Sequence, residues 1–76
     1  MVRSYILIET SAGYSRKLVE FLKSQDGVMD AVKVTGPYDV VVVLQASDGS
    51  AIAGIVEDKI HTAEGVVRTT TCVSMK

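Results

Sequence analysis

The 76-residue sequence predicts one small α+β domain, spanning 1–76, whose elements follow the order βαββαβ. Three observations predict it. Short β-rich segments alternate with two amphipathic segments in which apolar residues recur every three or four positions. Each amphipathic segment is followed by an acid–Gly–Val sequence, Asp26–Gly27–Val28 and Glu64–Gly65–Val66, so the chain reads as two βαβ halves. A length prior of about 100–200 residues per domain leaves room for nothing larger. Two right-handed βαβ units that interleave make a four-stranded antiparallel sheet with both helices on one face, the ferredoxin-like arrangement.

Each element has its own reason. Val2–Thr10 (VRSYILIET) mixes β-branched and aromatic residues with polar ones at Ser4 and Glu9 and stops at Ser11–Ala12–Gly13, which is a strand signal. From about Tyr14 to Gln25, Tyr14, Leu18, Phe21 and Leu22 fall on one face of a helix, and Gly27 supplies a left-handed cap. Val28–Thr35 reads as a half-buried strand with Val28, Val32 and Val34 on one face. Gly36–Pro37–Tyr38–Asp39 is a turn, because Pro presets φ and Gly admits φ > 0. Val40–Ala46 (VVVVLQA) is apolar on both faces and reads as a central strand. Asp48 is the expected N-cap of a second helix, striped by Ala51, Ile52, Ile55, Val56 and Ile60 and ending near Ala63. Val66–Met75 is the last strand. Gly54 inside the second helix costs about 1 kcal/mol relative to Ala, so it marks a close approach to the sheet or a neighbour, or a tolerated flaw.

Helices on one side leave the other side of the sheet bare. Tyr5, Leu7, Val41 and Val43 fall there, an exposed apolar patch in a monomer. A chain this short buries only about 60% of its surface. Both facts predict dimerisation through the sheet.

Charge and composition exclude several function classes. The net charge is −1, with eight basic residues dispersed among nine acids, so the clustered cations of direct nucleic-acid binding are missing. No signal-peptide pattern or membrane-length apolar run occurs, and the single Cys72 excludes an internal disulfide framework; together they predict a cytoplasmic protein without a membrane partner. One Cys and one His, far apart, predict no metal site, and no GxxxxGK[ST] or GxGxxG signals a nucleotide cofactor. Cys72 is expected to be a small buried hydrophobe of its strand. His61 is expected to interact with the end of the second helix.

Two segments carry polar groups that a small ligand could use: the turn Thr35–Asp39 and the run Thr69–Thr70–Thr71. A structural reading stands beside the ligand reading. Gly36 and Pro37 make the turn, Asp39 accepts hydrogen bonds from it, and the threonines are good strand formers.

VTGPYDVVV (Val34–Val42), followed by a helix and EGVVRTTTCV (Glu64–Val73), resembles the effector-binding (RAM) domain of the Lrp/AsnC family of transcriptional regulators. The opening VRSYILIET is similar to that domain's first strand, so the resemblance covers essentially the whole chain. It implies sheet-to-sheet homodimers assembling to an octamer, a free amino acid or similar metabolite bound between dimers, and no catalysis. Carried over by motif, it implies ligand contacts at Gly36, Tyr38, Asp39, Thr69 and Thr71. Met1 leads straight into the first strand, so the chain resembles the stand-alone form without the helix-turn-helix domain, and any effect on transcription would pass through full-length relatives. Two rivals remain. One is a cofactor-free enzyme of the dimeric α+β barrel type, a monooxygenase or isomerase, whose sites are usually lined by aromatic, His and Asn groups; this chain has no Trp, no Asn, one Phe and one His. The other is a purely structural oligomerisation module.

Overall fold

The computed structural model describes residues 1–75. The strands are β1 (Val2–Thr10), β2 (Val28–Lys33), β3 (Val40–Ala46) and β4 (Val66–Val73), in the sheet order β2-β3-β1-β4 with every neighbouring pair antiparallel. Helix α1 (Ser15–Lys23) joins β1 to β2, and α2 (Gly49–Ile55), continued by a π-helical turn (Val56–Ile60), joins β3 to β4. This is the expected ferredoxin-like topology.

The core lies between the sheet and the helices. Ile6 and Ile8 of β1, Val40, Val42 and Leu44 of β3, and Ala31 of β2 meet Leu18 and Leu22 of α1 and Ile52, Val56 and Ile60 of the second helical segment. Asp48 caps α2 as expected, its Oδ1 accepting from the Ala51 amide at 2.9 Å. The second helix does not run unbroken to Ala63. Its buried residues Ile52, Val56 and Ile60 are spaced by four, and in an α-helix such residues drift by about 40° per step. The wider π turn, closed by the His61 amide on the Val56 carbonyl at 2.8 Å, reverses part of that drift and keeps all three inward.

The acid–Gly–Val repeat is a structural repeat. Gly27 and Gly65 have φ of +88° and +89°, and their carbonyls accept from Gln45 N at 3.0 Å and Ser11 N at 2.8 Å. After each glycine a half-buried valine enters the sheet and the next residue is bulged out of the ladder. Val28 pairs with Leu44 and Asp30 with Val43, which leaves out Met29; Val66 pairs with Thr10 and Arg68 with Glu9, which leaves out Val67. The bulge corrects the one-face reading of the second strand. Val28 lies beside Leu44 on the helix side, whereas Val32 pairs with Val41 on the open side, and the buried residue between them is Ala31.

Three further expectations change. Helix α1 ends at Lys23 with Ser24 as its C-cap, so Gly27 serves the entry into β2 and not the helix end. Phe21 is 44% exposed, because Leu18 and Leu22 already fill the core side of α1. A Cβ on Gly54 would meet nothing within 4 Å, so no close approach to the sheet explains this glycine.

Ser4 is fully buried, and its hydroxyl has no partner among the described residues. A buried polar group without a hydrogen bond is costly, so Ser4→Ala is expected to leave stability unchanged or raise it by about 1 kcal/mol in urea denaturation. Gly65 should behave in the opposite way. Its left-handed backbone disfavours a Cβ by about 1–2 kcal/mol, and the Tyr14 ring stands where that Cβ would go. Gly13 has a similar φ of +87° in open space. Gly65→Ala should therefore destabilise by clearly more than Gly13→Ala in the same assay, and equal effects would show that Tyr14 yields without cost.

Candidate functional site

The segment between β2 and β3 presents a backbone turn held by three hydrogen bonds, one within the segment and two to β1. The Val34 amide donates to the Asp39 carbonyl at 2.9 Å, and the Asp39 amide donates to the Ile8 carbonyl of β1 at 2.9 Å. The Asp39 carboxylate reaches the same strand, Oδ2 accepting from the Thr10 amide at 2.8 Å. This corrects the expectation that Asp39 serves its own turn: it ties the turn to the end of β1. A carboxylate has further acceptor capacity, and Oδ1 remains free of protein partners among the described residues. So do the amides of Thr35, Gly36 and Tyr38, while Gly36 is exposed at φ +129° with open space around it.

The other candidate residues flank the same stretch of β1 from its opposite edge. Thr69 pairs with Ile8 and Thr71 with Ile6, so both share the helix side of the sheet, whereas Thr70 pairs with Leu7 on the open side. Thr69 is half-buried, and its hydroxyl lies 2.9 Å from His61 Nε2. Thr71 is exposed and makes no side-chain hydrogen bond among the described residues. Tyr38 crosses to the open side, its phenol 3.2 Å from the Thr70 hydroxyl. The structure thus brings the turn and β4 to the two edges of Ile8–Thr10 but divides their hydroxyls between the two faces. Reading the sequence missed Thr10, Thr70 and His61 as partners. The alternation of side chains along β4 separates Thr70 from Thr69 and Thr71; nothing in the sequence pairs Thr10 with Asp39 or His61 with Thr69.

The open face of the sheet has an apolar centre and a polar rim. Tyr5, Leu7, Val32, Val41 and Val43 lie across it, half-buried or exposed. The Arg3–Gln45 hydrogen bond at 3.4 Å stands at one end and the Glu9–Arg68 ion pair at 3.9 Å at the other. Such a centre and rim are the anatomy of a protein interface. Cys72 lies on this face opposite Tyr5 and is exposed, contrary to the buried hydrophobe expected, because β4 is an edge strand and no helix covers this side.

A cleft of about 300 Å³ opens elsewhere, between α1 and the segment before β4, lined by Tyr14, Lys17, Phe21 and Glu64 among others. None of the five candidate residues lines it. Among the described residues, no group of three or more His, Cys, Asp or Glu could hold a metal ion, and no helix is long and apolar enough to cross a membrane.

Comparison with known proteins bears on this geometry. The family model described as Lrp/AsnC ligand binding domain matches residues 3–76. A search of curated proteins gave no significant match. Among solved structures, TTHA0845 from Thermus thermophilus superposes with a TM-score of 0.94 at 29% identity, over 100% of this chain and 95% of that one. AsnC from E. coli matches with a TM-score of 0.91 at 25% identity, over 99% of this chain and 51% of that one. The transcriptional regulator NMB0573 from Neisseria meningitidis, whose structure is of a complex with L-Met, shares the fold with a TM-score of 0.87 at 18% identity, over 99% of this chain and 50% of that one. With the sheet order, the turn and the last strand in place, and a family model covering all but the first two residues, the chain belongs to the Lrp/AsnC ligand-binding domain family.

Proposed function

We propose that this chain is a cytoplasmic sensor that binds a free amino acid or similar small metabolite, pairs sheet against sheet with a second copy, assembles further to an octamer, and modulates transcription through full-length relatives. The observation that carries the ligand reading is the turn: three amides without protein partners among the described residues stand beside a carboxylate with one free oxygen. Backbone N–H groups exposed at a turn can receive a carboxylate, and Asp39 can accept from an ammonium group, so the two ends of a zwitterion are matched within one segment. Thr69 and Thr71 add hydroxyls from the helix side, and Gly36 and Tyr38 set the backbone that presents the amides. The N. meningitidis regulator, which shares this fold over half of its chain, forms a complex with L-Met, a ligand of this chemical class. Family membership implies a ligand bound between dimers, so a neighbouring copy would complete the pocket for the ligand's side chain.

The dimer follows from the apolar centre of the open face. Sedimentation at micromolar concentration is expected to show no stable 8.1 kDa species, and Leu7→Asp, which puts a charge in the middle of that face, should yield it. A wild-type monomer would overturn the assembly.

The site is tested at Asp39. Its link to Thr10 makes Asp39→Ala a poor probe, since removing the acceptor strands a half-buried amide. Asp39→Asn keeps an oxygen for Thr10 and removes the charge offered to an ammonium group. Loss of a charge-assisted hydrogen bond is worth about 1.5–3 kcal/mol, so calorimetric titration should show affinity for the preferred amino acid falling about ten- to hundredfold. Equal affinity would place the ligand elsewhere.

A further inference from the structure

We infer that His61 is a positioning residue of the ligand site, acting through the hydroxyl of Thr69; the inference rests on the proposed amino-acid site and deepens it. His61 follows the π turn, and its place there is anchored on both sides. Its own amide donates to the Val56 carbonyl at 2.8 Å, the Thr62 hydroxyl to the Asp58 carbonyl at 2.8 Å, and the Ala63 amide to the Ile60 carbonyl at 3.0 Å. The imidazole leaves this anchored segment toward β4, where Nε2 meets Thr69 Oγ1 at 2.9 Å. Thr69 is held in turn by its pairing with Ile8, whose carbonyl accepts the Asp39 amide. A continuous chain of contacts therefore runs from the π turn through His61, Thr69 and Ile8 to the turn that carries Asp39.

The chemistry follows from what each group can do. A threonine hydroxyl has one proton to donate and two lone pairs, and it rotates to suit its partner. When Nε2 carries a proton it donates to Oγ1, and the Thr69 O–H is left to donate outward, toward a carboxylate. When Nε2 is bare it accepts the Thr69 proton, and the oxygen is left only to accept, from an ammonium group. The tautomer His61 adopts thus sets which end of an amino acid Thr69 can receive. The other ring nitrogen has no side-chain partner among the described residues, so the chain's own contacts do not lock the tautomer.

The test uses the twenty common L-amino acids, titrated one at a time into the folded wild-type protein by calorimetry, and the tightest binder is carried through the variants. His61→Leu removes the contact, Thr69→Val removes the hydroxyl, and His61→Gln restores a donor and an acceptor at nearly the same reach. Affinity is expected to fall about five- to tenfold in His61→Leu and in Thr69→Val, the size of one ordinary hydrogen bond. The double variant should lose no more than either single, because the two side chains act as one unit, and His61→Gln should recover most of the loss. Unchanged affinity in His61→Leu, or losses that add in the double variant, would overturn the role of His61 while leaving the amino-acid site intact. Binding of none of the twenty by wild type would overturn both. Thermal denaturation of each variant separates a loss of fold from a loss of contact.

Discussion

The register of β4 against β1 depends on one tight place, where the glycine before the last strand meets the residue before the first helix. Gly65 adopts a left-handed backbone with Tyr14 lying against it, and its carbonyl takes the Ser11 amide. From there Val66 enters the sheet, Val67 is pushed out as a bulge, and the strand resumes with Arg68 opposite Glu9. A shift of one residue would exchange the faces of every side chain that follows. The bulge is therefore what sends Thr69 and Thr71 toward the helices and Thr70 and Cys72 to the open side. The same device at Gly27 and Met29 sets the opposite edge strand, so both edges of the sheet are indexed by a glycine and one extra residue.

That indexing makes a domain with two unlike faces. On one side the isoleucines of β1 and the valines and leucine of β3 are sealed by two helices. On the other, the alternate residues of the same strands form a surface of aliphatic side chains and one tyrosine, rimmed by a hydrogen-bonded arginine and a cross-strand ion pair. The rim contacts are exposed and contribute little to stability by themselves. Their position is more informative than their strength, since apolar surface ringed by polar groups is what a chain of this size needs if association is to supply the burial its own core lacks.

The candidate site sits where these constraints converge. β1 lies between β3 and β4 in the sheet, and its last residues carry the turn on one side and the threonines on the other. Three of the five residues already hold a partner within the chain: Asp39 holds Thr10, Tyr38 holds Thr70, and Thr69 holds His61. These contacts orient the groups within the chain, so a ligand of the proposed kind would find them already ordered. What stays uncommitted among the described residues is the set of turn amides, one carboxylate oxygen and the Thr71 hydroxyl.

The sequence by itself determined the element order, the bounds of β1 and β3, the Asp48 cap and the apolar character of both sheet faces, because each is written in local periodicity or in a residue whose conformational preference is strong. It also carried the family, through the turn VTGPYD and the strand GVVRTTT. Tertiary structure alone decided the rest. The bulges at Met29 and Val67 have no composition signal of their own, yet the first of them moves Val28 and Val32 to opposite faces. Ser4 reads as polar and lies in the core, while Cys72 and Phe21 read as buried and do not, because burial depends on which elements cover a face and not on the residue. The partners of Asp39 and Thr69 come from positions 29 and eight residues away in the chain, Thr10 and His61. Such contacts arise only when β1 is flanked by both neighbours and the second helix widens into its π turn.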